Sequence, residues 1–110
     1  MMQKEIWMAD LNPVIGSEQS GIRPVVIISG NTMNSHYRVV IICPLTSKIK
    51  PYKGCPVISP NQTNNLKTES QAIPFHVRTI SKTRLKKKMG AISNNELDSI
   101  KQGLHMFVTY

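Results

Sequence analysis

Acidic residues are scarce in this chain: six Asp plus Glu stand against fourteen Lys plus Arg, for a formal charge of +8 and a pI near 9.8. So few carboxylates leave little material for a spaced magnesium cluster and count against metal-assisted hydrolysis. Cysteine is scarce as well. Cys43 and Cys55 make one pair, too few for a disulfide scaffold. Neither belongs to a Cys-x-x-Cys or a Cys/His group with zinc spacing, so both read as free thiols. No apolar run approaches the roughly 18 residues that a membrane span needs, and the longest, Val39 to Cys43, has strand length. The amino terminus lacks a signal peptide's apolar segment and small-residue cleavage site, which points to the cytoplasm. Also missing are a Gly-rich phosphate loop followed by Lys-Ser or Lys-Thr, a His-Glu-x-x-His pair and a Gly-x-Ser-x-Gly elbow. No metal and no cofactor is expected.

The chain has 110 residues, of which 40% are hydrophobic, enough for one packed domain spanning 1–110 and not for two. The positive charge favours phosphates or an acidic partner, with a merely solvated basic surface as the alternative.

Lys4 to Leu11 reads as an opening strand with a buried face. Asn12-Pro13 begins an exposed loop through Gly16-Ser17-Glu18-Gln19-Ser20-Gly21, rich in turn formers. Val25 to Ser29 is a β-branched run that reads as a central strand buried on both faces. Asn31 to Tyr37 reads as a second loop. Arg38 to Leu45 is the clearest strand, and Pro44, which donates no hydrogen bond, belongs at a ladder end or bulge. Short strands are expected over Cys55 to Ser59, Ser70 to Ile73 and His76 to Ile80. Lys82 to Lys88 reads as a helical turn or coil on the surface. Ser93-Asn94-Asn95-Glu96 has capping-box spacing, and Leu97, Ile100, Leu104, Phe107 and Val108 follow at helical intervals, predicting a terminal helix over the sheet. Five or six short strands and one terminal helix make the fold mainly β (α+β), a strongly twisted antiparallel sheet or small barrel.

Polar residues at strand ends and loops are the candidates for chemistry: Ser17, Glu18, Gln19, Arg23, Thr46, Ser47, His76, Arg78 and Thr79. Each has two readings. Arg23 either pins the loop through backbone carbonyls or clamps a phosphate. Thr46 and Ser47 either stabilise a turn or take part in catalysis.

Glu5-Ile6-Trp7, Asp10-Leu11-Asn12-Pro13, Gly16-Ser17-Glu18-Gln19, Gly21-Ile22-Arg23-Pro24-Val25-Val26, Pro44-Leu45-Thr46-Ser47 and Val77-Arg78-Thr79-Ile80 stand in the order and spacing of a known family. Over nearly its whole length the chain resembles the MazF/PemK toxins of bacterial toxin-antitoxin systems. The resemblance implies an SH3-like barrel with a carboxy-terminal helix, a homodimer, and a metal-independent, sequence-specific endoribonuclease that cuts single-stranded messenger RNA. A cognate acidic antitoxin would inhibit it. Arg23 and Thr46 match the catalytic pair, Ser17 and Gln19 the substrate-contacting loop, and Ser47, His76, Arg78 and Thr79 the rim of the RNA groove.

The chain departs from the family at one place. Where an acidic residue and a glutamine commonly precede the Arg-Thr element, it has Phe75 and His76. Phe75 is read as a core residue, with stacking on a base as the alternative. His76 is either a proton carrier or a hydrogen-bonded rim residue. Two other functions fit the same fold: a gyrase-directed poison, and a catalytically silent RNA-binding module.

Overall fold

β-branched residues dominate the middle of the chain, and they form the centre of a seven-stranded antiparallel sheet. The computed structural model describes residues 1–12 and 21–110. Its strands are β1 (Glu5–Asp10), β2 (Ile22–Ile27), β3 (Val39–Thr46), β4 (Val57–Ile58), β5 (Ser70–Ala72), β6 (Arg78–Ser81) and β7 (Leu85–Ala91). Two helices accompany them, α1 (Asn31–His36) and α2 (Asn94–Thr109). The sheet runs β4-β5-β3-β2-β1-β7, with β6 also paired to β3. This is a mainly β half-barrel with a carboxy-terminal helix, in keeping with the expected twisted antiparallel sheet or barrel and terminal helix.

β2 and β3 are buried on both faces, as expected of their continuous apolar runs. Val26, Cys43 and Leu45 pack with Ile6, Leu97 and Ile100 on one side. Val25, Ile27, Val40 and Ile42 pack with Ala9, Leu11 and Ile80 on the other. Both thiols are free and buried. Burial pushes the Cys43 thiol up to about 12, so it stays protonated and unreactive.

The most consequential irregularity lies along β3. Leu45 pairs with Ala72, Pro44 accepts a hydrogen bond from the Ile73 amide, and Ile42 pairs with Arg78. The residues from Pro74 to Val77 therefore stand opposite the single residue Cys43. They leave the ladder as a 3-10 turn over Pro74–His76, begun by a proline that has no amide proton to lose. His76 thus precedes strand β6 instead of starting it. Phe75 is not a core residue: the turn carries it outward, and it is 46% exposed.

Two other segments differ from expectation. Asn31 to His36 forms a helical turn and a half in place of a loop, because the buried Asn34 bonds the Ser29 hydroxyl and carbonyl and so docks the segment on the sheet. Lys82 to Lys88 starts as a 3-10 turn and continues into β7, where Trp7 pairs with Lys88 and Met8 with Lys87. Lys86, Lys87 and Lys88 are exposed on this outer strand, where charge discourages pairing with another chain. The Lys88 ammonium meets Glu5 at 3.1 Å. Desolvation raises the Glu5 pKa, but hydrogen bonds from Trp7, Met2 and Lys88 outweigh it and hold the carboxyl below its ordinary value.

Helix α2 begins as its sequence foretells: the Ser93 hydroxyl accepts from the Glu96 amide, and the Glu96 carboxylate accepts from the Ser93 amide. Its buried stripe is Leu97, Ile100 and Gly103, whereas Phe107 and Val108 are exposed. Gly103 lets the helix touch backbone: a Cβ there would stand 2.0 Å from the Gly54 carbonyl oxygen. Gly103→Ala must therefore push α2 away from the turn at Gly54. Urea unfolding should show a loss of about 1–3 kcal/mol or more, the usual cost of overpacking; unchanged stability would contradict this close approach.

Candidate active site

Strand register brings Arg23 and Thr46 together. β2 and β3 pair Val26 with Cys43 and Val25 with Pro44, and the same register carried two residues further sets Arg23 opposite Thr46. Pro44 ends the regular ladder, as its missing amide proton requires. Beyond it both side chains line an open pocket of about 350 Å³, together with Lys48, Lys50, Tyr52, Gln71, Ile73, Phe75 and His76. Arg23, Lys48 and Lys50 are basic and none of the described lining residues is an acid, so the pocket suits an anion.

Thr46 is buried, at 7% exposure. Its Oγ1 accepts a hydrogen bond from the Lys48 amide at 3.1 Å. That bond uses a lone pair and leaves the hydroxyl proton to donate elsewhere.

Gln71, on β5 beside Thr46, is, with Lys48, Lys50 and Tyr52, one of the pocket residues that the sequence does not reveal. It is 2% exposed. Its Oε1 accepts from the Lys50 amide at 2.9 Å, and its Nε2 donates to the carbonyls of Lys50 at 2.8 Å and Cys55 at 3.0 Å. One amide side chain thereby ties the whole segment from Thr46 to Cys55 to the sheet, and with it Lys48, Lys50 and Tyr52. The only signal in the sequence is a glutamine between Ser70 and Ala72 in a short strand, which is indistinguishable there from a surface residue.

The other candidates are distributed. His76 joins Arg23 and Thr46 in the pocket. Ser47 belongs to a second pocket of about 440 Å³, lined by Met8, Ile22, Pro24, Leu45 and Met89, with Arg23 shared between the two. Arg78 and Thr79 sit on β6 beside Ile42 and Ile41 and line neither pocket. Ser17 and Gln19 lie outside the described residues. The chain flanking them is closed: Leu11 donates to the Gly21 carbonyl, Gly21 donates to Asn12 Oδ1, and the Arg84 guanidinium bonds the carbonyls of Asp10 and Asn12. Among the described residues no His, Cys, Asp and Glu group could hold a metal ion.

Gln71→Met keeps the volume and removes the bonds, leaving the Lys50 amide without its partner. An unsatisfied buried group costs about 1–3 kcal/mol, so exchange of the Lys50 amide with solvent should quicken by about 5- to 150-fold. Unchanged exchange would show that something else holds the segment.

Known proteins share this architecture. A family model described as PemK-like, MazF-like toxin of type II toxin-antitoxin system matches residues 2–108. The Endoribonuclease MazF of Staphylococcus saprophyticus subsp. saprophyticus is 37% identical over 113 residues, which cover 96% of this chain and 93% of that protein. The crystal structure of MazF (Form-I) from Deinococcus radiodurans matches with a TM-score of 0.86 at 20% identity, covering 100% of this chain and 97% of the other. An endoribonuclease in complex with its cognate antitoxin, from mycobacterial species, matches at 0.80 and 18% identity, covering 98% and 94%. The two structures bear on the fold. The family model and the curated relative reach further: this chain belongs to the PemK-like, MazF-like toxin family of type II toxin-antitoxin systems.

Proposed function

We propose that the chain is a metal-independent, sequence-specific endoribonuclease of single-stranded messenger RNA, a single toxin domain spanning 1–110, with Arg23 and Thr46 as its catalytic pair. The observation that carries this reading is the shared pocket: a guanidinium and a buried hydroxyl whose proton can donate face one space, with Lys48 and Lys50 beside them and no carboxylate among the described residues of the lining. The relative from Staphylococcus saprophyticus, named as an endoribonuclease, supports it.

The chemistry follows from these groups. The ribose 2′-oxygen attacks the adjacent phosphorus, the bond to the 5′-oxygen of the next nucleotide breaks, and a 2′,3′-cyclic phosphate and a 5′-hydroxyl result. Arg23, always protonated and planar, neutralises the charge that grows on the non-bridging oxygens. Thr46 donates its proton to one of those oxygens. Since Arg23 is a poor base, protons must travel by another group, and His76 lines the same pocket with the side-chain type best suited to proton transfer. Ser17, Gln19, Ser47, Arg78 and Thr79 would contact the RNA further along the groove.

Arg23→Ala and Thr46→Ala should keep the fold and lose about 100- to 1000-fold in rate, the usual effect of removing one preorganised donor. Arg23→Lys should not restore activity, and EDTA should leave the native rate intact. His76→Gln should remove a bend near neutral pH from the single-turnover rate profile. Full activity of a folded Arg23→Ala or Thr46→Ala variant on purified RNA, with no other protein present, would refute the assignment. An unchanged profile in His76→Gln would remove His76 from proton transfer.

The protein is further proposed to act in the cytoplasm as a homodimer, and to be silenced by an acidic antitoxin segment lying across the basic groove. Among the described residues no helix is long and apolar enough to cross a membrane. The mycobacterial relative in complex with its cognate antitoxin supports the partner. The antitoxin should compete with RNA, and rising salt should weaken both complexes. An antitoxin that binds without slowing cleavage would overturn the shared groove, and sedimentation of an active 12.4 kDa species would overturn the dimer.

A further inference from the structure

Beside the cations of the pocket stands a group of aromatic rings that neither the catalytic pair nor the core explains. Phe75 and Tyr52 are 46% and 45% exposed, and both line the pocket that holds Arg23 and Thr46. Large apolar side chains left open to water beside a charged site mark a surface that something covers. The rings are also fixed in place. Phe75 meets Tyr52 with centroids 5.9 Å apart, His76 at 4.8 Å and Phe107 at 5.2 Å, all in edge-to-face arrangements. Tyr52 belongs to the segment that Gln71 ties down, through the Tyr52 amide bonded to the Lys50 carbonyl. Phe75 rides on the extruded 3-10 turn, whose Pro74 lies against the helix at Gly103. Both rings are thus held before any ligand arrives, so little rotamer freedom remains to be lost on binding.

We propose that Phe75 and Tyr52 form a stacking subsite for a nucleobase of single-stranded RNA, on the nucleotide flanking the phosphate held by Arg23 and Thr46. The proposal rests on reading that pocket as the RNA site. An aromatic face beside a cluster of cations is the combination that single-stranded nucleic acid needs, one part for the base and the other for the backbone. A second copy of this chain is the rival occupant. It would bring its own +8 charge to a rim already holding Lys48 and Lys50, whereas RNA brings the opposite sign. Stacking accepts any base, so this subsite supplies affinity and position, and the choice of cleavage sequence lies with other contacts.

The test uses two fluorescent 12-nucleotide probes with 2′-O-methyl riboses, which have no hydroxyl to attack and stay whole. One carries mixed bases and the other is abasic throughout. Arg23, Lys48 and Lys50 act on both probes, and stacking acts only on the first. Native protein should bind the base-bearing probe more tightly. Phe75→Leu and Tyr52→Leu, checked for folding by circular dichroism, should each weaken binding of that probe by about 5- to 150-fold, while the abasic probe stays within about twofold of native. Phe75→Tyr, which keeps the ring, should bind like the native protein. Tyr52→Leu carries the test alone if Phe75→Leu fails to fold. Equal losses on both probes, or no loss on either, would overturn the proposal. So would a variant that binds RNA normally but sediments as a smaller species, since the rings would then belong to an interface between copies. A native protein that shows the expected binding pattern yet cuts no RNA would refute the nuclease reading and leave the subsite standing.

Discussion

Along one edge of β3 the chain lays down β5, leaves the sheet, and returns as β6, with the residues from Pro74 to Val77 set against Cys43 alone. The presence of Phe75 and His76 in the pocket depends on that surplus. A strand running in register past Cys43 would alternate its side chains into the two apolar clusters, and Phe75 and His76 would be packing residues. The surplus forces a turn, Pro74 starts it, and Phe75 and His76 are delivered to the space in front of Arg23 and Thr46. The helix secures the arrangement from behind, because Gly103 allows it to approach the turn at Gly54 and the Pro74 ring.

A second constraint holds the cations. Lys48, Lys50 and Tyr52 lie on a segment without regular structure, and such a segment bearing like charges beside Arg23 would be expected to spread apart. The buried amide of Gln71 opposes that by bonding the backbone of Lys50 on both sides and the Cys55 carbonyl. The electrostatics of the pocket are therefore built on neutral hydrogen bonds that cost nothing in charge repulsion. This division suits a phosphoryl transfer, where the protein's task is to present donors already in place to charge that appears only in the transition state.

The strands were legible wherever burial on two faces demands β-branched runs, as in Val25 to Ile28 and Val39 to Cys43, and the capping box of Ser93 and Glu96 marked the start of α2. Arg23 and Thr46 are legible as polar residues at strand ends, and their pairing is implied by the resemblance to a family; the strand register explains why residues that far apart meet. Other features depend on pairings that no local pattern encodes. Asn31 to His36 is too short for helical periodicity to register, and Lys86 to Lys88 becomes a strand only because β1 offers an edge. Phe75 reads as core from its residue type, since nothing in the sequence reveals a surplus of residues against Cys43. Gln71 is not legible because its partners, Lys50 and Cys55, lie in a loop 21 and 16 positions away, and Lys48, Lys50 and Tyr52 reach the pocket only through that loop's long-range tie.

In the proposed mechanism, a pocket of fixed cations and a hydroxyl drives attack by the RNA's own 2′-oxygen. Mass spectrometry of the fragments from a defined RNA, cut by the native protein in the presence of EDTA, tests it most directly. The expected products are a 2′,3′-cyclic phosphate on one fragment and a 5′-hydroxyl on the other, with an intact strand when the ribose at the cut is replaced by 2′-deoxyribose. A 5′-phosphate with a 3′-hydroxyl, or cleavage that survives removal of that 2′-hydroxyl, would mean that water is the nucleophile and would contradict the account.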